Sequence, residues 1–136
     1  MAHDLWLIKE PGALARAHAE LSETGGQVVA IMPDRQEFAA EFKSEAGASF
    51  PVLTDLDNAY AMSLNLAIWM GVELKQMLAS AGFDVPAYQG NNSWIVPIPA
   101  TFVVGTDGVI TARFVDPDYR RRMAVEELLA ALRAAH

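Results

Sequence analysis

The side chains able to do chemistry in this 136-residue chain are few, and the most reactive type is missing altogether: there is no cysteine. Without a thiolate there is no soft nucleophile and no disulfide to cycle. Lys9 and Glu10, just before Pro11-Gly12, are candidates for acid–base work or for holding an anion. The reading to prefer for them is a solvated turn ahead of a helix, because charged turn residues are common and perturbed ones are not. Tyr88 and Arg121 complete the set of candidate acid, base or anion-holding groups. Arg121 sits in the short basic run Arg120 to Arg122, which also suits a solvated connection with local ion pairs of little energetic weight. Trp69, Met70, Tyr88 and Trp94 flank or lie in an irregular stretch, where they could wall a pocket for a small organic ligand or a partner, or simply pack. The three histidines, His3, His18 and His136, are too scattered for metal-ligand spacing, and no Ser–His–Asp grouping is readable. A square-planar nitrogen set at Met1-Ala2-His3 is broken once Met1 is removed, so no metal and no cofactor are expected.

These residues are carried on alternating strand and helix signals. Leu5-Trp6-Leu7-Ile8 is a short apolar run, followed by Glu10-Pro11-Gly12 and then Leu14, Ala17 and Leu21 at helical spacing. Gly25-Gly26 stops that helix. Gln27 to Met32 is β-rich without alternation, as in a strand covered on both faces, and the unit is βαβ with a parallel pair. Pro33-Asp34 opens a helix with Phe38 and Phe42 on one face, Gly47 closes it, and Phe50-Pro51-Val52-Leu53 is a further parallel strand. Asp55 or Asp57 can accept backbone N–H bonds at the start of the next helix, which holds Tyr60 and Leu64. Leu74, Met77, Leu78 and Ala81 mark another helix, ended by Gly82. Asp84 to Ser93, with Pro86, Gly90, Asn91 and Asn92, has no apolar period and reads as a loop. Ala100 to Val104 and Val109 to Val115 flank Gly105-Thr106-Asp107-Gly108, a strong hairpin signal. Val125, Leu128, Leu129 and Leu132 form the apolar stripe of a last helix, acidic early and basic late.

Length and composition fit one globular domain over residues 1–136: 52% of residues are hydrophobic and 20% charged. A net charge of −7 disfavours a phosphate-neutralising surface, so nucleic acid is not an expected partner. No run approaches the roughly twenty apolar residues of a bilayer span, and Met1-Ala2-His3-Asp4 lacks the basic start of a secretion signal. A cytoplasmic protein without membrane contact is expected.

A βαβ half followed by a β-hairpin and a terminal helix resembles the thioredoxin-like order. Val28-Val29-Ala30-Ile31, Phe50 to Asp55, Asn92-Ser93-Trp94, Pro97 to Val104 and Asp107-Gly108 resemble the consecutive landmarks of its peroxiredoxin-like branch, the alkyl hydroperoxide reductase and thiol-specific antioxidant family. The resemblance covers about Gln27 to the C-terminus. It implies an α/β fold with a mixed central sheet, a cis Ile98–Pro99 bond facing the site where the thiols normally sit, and a possible homodimer. The implied ligand pocket is Trp69, Tyr88, Trp94, Ile98, Pro99 and Thr101. The family's Trp-Cys-Pro-x-Cys turn has no counterpart here; in its place Leu5 to Ile8 would be the strand and Lys9 to Gly12 the turn, an N-terminally shortened domain. Three functions follow as expectations. One is a thiol-free binding or assembly module, its small-molecule or protein ligand unnamed. Another is a non-redox isomerase, lyase or hydrolase reusing the pocket. The third is a truncated product of a thiol-dependent peroxidase gene.

Overall fold

The structure, a computed structural model, describes residues 13–118, 121 and 123–135. The strand and turn expected over Leu5 to Gly12 lie outside the described residues. Helix α1 (Ala13–Glu23) leads to strand β1 (Ala30–Met32), helix α2 (Gln36–Glu45) and strand β2 (Val52–Thr54). A 3-10 turn (Leu56–Asn58), helix α3 (Ala59–Ser63), strand β3 (Ala67–Trp69), helix α4 (Val72–Ser80) and helix α5 (Val85–Gln89) follow. Strands β4 (Ile95–Pro97), β5 (Ala100–Val104) and β6 (Ile110–Val115) precede helix α6 (Val125–Ala134). The expected mixed α/β order is therefore present. Its described ladders are separate pairs rather than one continuous sheet: β1 with β2 parallel, β3 with β4 antiparallel, β5 with β6 antiparallel.

Two of the pairs have an apolar cluster beside them, and a third cluster joins the first and last helices. Phe42 of α2 packs with Ala46, Ala48 and Phe50 beneath Ala30, Met32 and Val52. Leu78 of α4, Val85 of α5, Trp94 and Val96 of β4 make a second cluster. Ala17 and Leu21 of α1 meet Leu129 of α6, with Val28 bridging toward the first. Ala17 and Leu21 of α1, Phe42 of α2 and Leu129 of α6 are buried as their spacing predicts, while in α4 only Leu78 is, Leu74 and Met77 standing exposed; burial rather than propensity fixes helices this short.

Two expectations need correction here. The segment from Asp84 to Ser93 contains helix α5, not an unbroken loop. The Asp84 carboxylate accepts the Ala87 N–H at 3.1 Å, Pro86 lies in the first turn, and Gly90 caps the end at φ 74°. Proline and glycine mark the two boundaries of the helix rather than its absence. Strand β1 is also not covered on both faces: Ile31 and its register partner Leu53 are each 50% exposed, because α2 shields only the side carrying Ala30, Met32 and Val52.

The β5–β6 hairpin closes as its turn residues require. Gly108 sits at φ 83°, its N–H reaches the Gly105 carbonyl at 3.0 Å, and the Asp107 carboxylate accepts the Val109 N–H at 3.0 Å. A register shift between Val103 and Val104 leaves Thr111 as an extra residue, which adds twist to the hairpin.

Candidate functional site

The loops after β1 and β2 come together with α5 and the start of β4, and this junction carries most of the buried polar groups. Asp34 follows β1, Asp55 follows β2, and Asn58 and Gln89 are buried with them among the described residues. Asp55 performs the expected capping: its two carboxylate oxygens accept the N–H groups of Tyr60 and Ala61, each at 2.9 Å. Asp57 does not share that work; it stands at φ 57° and accepts from the Asn91 amide at 3.0 Å. Asn58, fully buried at φ 55°, donates through Nδ2 to Gln89 Oε1 at 3.0 Å and to the Ile95 carbonyl at 2.9 Å. A left-handed non-glycine residue costs free energy, and Asn tolerates it best because its amide finds nearby partners. The amide therefore ties the 3-10 turn to α5 and β4 at once.

The residues singled out in the sequence fall into separate places. Tyr88 is buried in α5, its ring 4.6 Å from that of Phe38, and its carbonyl accepts the Arg35 N–H at 2.7 Å. Gly90, just beyond α5, stands at φ 74°, where glycine carries no Cβ penalty, with the flexible Arg35 side chain alongside it. Trp94 is buried against Leu78, Val85 and Val96, with the Lys75 ammonium 5.6 Å from its ring centre. It borders a shallow cleft of about 320 Å³ with Ala79, Gly82, Phe83 and Asp84. Trp69, at the end of β3, is 59% exposed. Ile98 and Pro99 link β4 to β5, the Ile98 N–H donating to the Leu66 carbonyl at 2.7 Å and the Pro99 carbonyl accepting from the Asp116 N–H at 3.3 Å. No peptide bond among the described residues is cis, so Ile98–Pro99 is trans, contrary to the expectation. In the trans form these two bonds anchor the connection to Leu66 and Asp116. Thr101 lies in β5 opposite Phe114. Arg121 is a solvent-side group whose guanidinium lies 3.5 Å from the Asp116 carboxylate, and Lys9 and Glu10 lie outside the described residues.

Sequence reading missed Asn58 and Gln89, and it missed a contact between Ser49 Oγ and His18 Nδ1 at 2.9 Å. The Asp57-Asn58 pair was a usable signal, since both types accept left-handed backbone; His18 and Ser49, 31 residues apart, gave none. His18 also lies 5.7 Å from the Phe50 ring, so the hydroxyl contact fastens α1 to the approach of β2. Among the described residues no group of three or more His, Asp or Glu could hold a metal ion, and no helix is long and apolar enough to cross a membrane.

A larger groove of about 760 Å³ runs between α3 and the hairpin, lined by Tyr60, Leu64 and Leu66 on one side and Phe102, Val104, Ile110, Arg113, Phe114 and Val115 on the other. None of the six expected pocket residues lines it.

Residues 8–113 match the AhpC/TSA family. The chain belongs to the AhpC/TSA family. This AhpC/TSA chain has no cysteine, and so no Cys-Pro-x-Cys turn. A cysteine-to-serine mutant of the peroxiredoxin 6 of Arenicola marina, in an orthorhombic crystal form, is similar in structure, with a TM-score of 0.60 at 14% identity. The match covers 90% of the present chain, which spans about half, 51%, of that one. At this identity the likeness shows the thioredoxin-like fold of the AhpC/TSA chain. Among curated proteins, none matches.

Proposed function

We propose that this AhpC/TSA chain, read as one domain, does not reduce peroxides itself and acts as a binding or assembly module. The observation that carries the proposal is chemical. Reduction of a hydroperoxide by this family's route needs a thiolate sulfur to attack the peroxide oxygen, releasing an alcohol or water and leaving a sulfenic acid for a second thiol to reduce. No residue among the 136 can do this. The two candidates among the described residues stand apart: Tyr88 is buried against Phe38, while Arg121 is solvent-exposed beside Asp116. Binding, by contrast, is supported by apolar side chains on the surface, Trp69 and the groove between α3 and the hairpin among them. A cytoplasmic location goes with this reading and is checked by cell fractionation. The reaction itself is tested by following hydrogen peroxide with a thiol reductant present; the rate should equal that of buffer, and protein-dependent consumption would refute the proposal.

A further inference from the structure

The 2.9 Å contact between Ser49 Oγ and His18 Nδ1 joins the two groups that nucleophilic catalysis at oxygen requires, a hydroxyl and a base within hydrogen-bond reach. The fold holds both ends. Ser49 is exposed in the connection from α2 to β2, between Ala48 and Phe50, which are both buried. His18, on α1, is half-buried with its ring 5.7 Å from that of Phe50. Buried neighbours on either side restrain the Ser49 backbone, and the phenyl ring restrains the imidazole. A second observation concerns the main chain. Among the described residues, neither the Ser49 N–H nor the Phe50 N–H meets an acceptor. The oxyanion formed when a serine attacks a carbonyl is met in known hydrolases by the nucleophile's own N–H or by that of the residue after it. Both donors are uncommitted here.

We propose that Ser49 is a nucleophile toward small activated carboxylic esters, with His18 as its base. The proposal stands apart from the binding-or-assembly reading and does not depend on it. The neutral imidazole with its proton on Nε2 leaves the Nδ1 lone pair to the hydroxyl. The Ser49 oxygen then bonds to the acyl carbon while Nδ1 takes the hydroxyl proton. The bond from that carbon to the leaving oxygen breaks, and the proton passes to the leaving oxygen or, where that oxygen is a stable phenolate, to water. A water molecule attacks the acyl-serine in the same way, releasing the carboxylic acid and restoring the hydroxyl. No oxidant or reductant enters. Two features set the substrate class. Neither the cleft beside Trp94 nor the groove between α3 and the hairpin includes Ser49, so the acyl group is short. Among the described residues no carboxylate pairs with His18, so the third member of a triad is lacking and the leaving group must be a good one.

Acylation by p-nitrophenyl acetate, mapped by peptide mass spectrometry, tests the proposal. The wild-type chain should carry the acetyl group at Ser49 ahead of Lys9, Lys43 and Lys75, whose amines are the background nucleophiles. His18→Gln keeps an acceptor for the hydroxyl but no base, and acylation of Ser49 should slow about a hundredfold, the lower end of what a general base supplies. Ser49→Ala should release nitrophenolate more slowly than wild type, whereas Ser44→Ala, which removes a hydroxyl of α2 away from the imidazole, should release it at the wild-type rate. Wild-type chain unfolded in guanidinium keeps every side chain and loses the contact, so its Ser49 should label no faster than its Ser44, whether or not the variants fold. Acetyl confined to the amines overturns the proposal. So does equal labelling of Ser49 in the folded and unfolded chain, and so does His18→Gln labelled at the wild-type rate.

Discussion

Asp55 and Asn58 show how far single residues could be read in advance. An acid just after a strand and a few residues before a helical pattern is a capping signal, and Asp55 meets the Tyr60 and Ala61 N–H groups with both oxygens. Replacing it with alanine frees two donors at once, and we expect a loss of about 2 kcal/mol, seen as a fall in melting temperature of roughly 5–10 °C. A melt unchanged within about 2 °C would show that water replaces the cap at no cost. For Asn58 the left-handed turn was open to reading but the burial was not, because its partners Gln89 and Ile95 are 31 and 37 residues away. Asn58→Ala loses both bonds and leaves alanine at φ 55°, so the loss should be larger, about 3 kcal/mol by urea denaturation. Asn58→Asp, which keeps the shape but removes the Nδ2 donor, should also destabilise; a neutral result for both would remove the amide as a tie across this junction.

Among the elements, those with a long period or an explicit turn were readable. The stripe of Val125, Leu128, Leu129 and Leu132 became α6, and Gly105 to Gly108 became the hairpin turn. Strands β3 and β4 went unseen because three residues are too few to display an alternation, and their pairing of Ala67 with Pro97 through Trp69 with Ile95 joins distant segments. Helix α5 went unseen because Pro86 and Gly90 look like breakers until Asp84 is seen capping the helix that lies between them. The hairpin carries its own test. Gly108 stands at φ 83° with open space, nothing within 4 Å, where a Cβ would project, so any cost of Gly108→Ala comes from the backbone alone. We expect about 1 kcal/mol, measured by thermal or urea unfolding. A stabilised variant would mean that the turn adopts another conformation in solution.

For the molecule as a whole, the α/β order and the family were legible because they are written in consecutive local strings, from Val28-Val29-Ala30-Ile31 to Asp107-Gly108, all within the matched residues 8–113. The arrangement of surfaces was not. Ile31, Leu53, Val104 and Ile110 read as interior residues by type, and each stands half exposed because the described ladders are pairs. The candidate pocket was likewise legible in its residue types and not in its assembly, since Tyr88 and Trp94 turn inward in separate places while Trp69 turns out. What joins the scales is one missing chemical group: this AhpC/TSA chain has no thiol. The most direct measurement is the initial rate of hydrogen peroxide loss, with dithiothreitol in excess, plotted against protein concentration. A line of zero slope is predicted, and a slope that grows with protein and vanishes on heat denaturation would contradict the account.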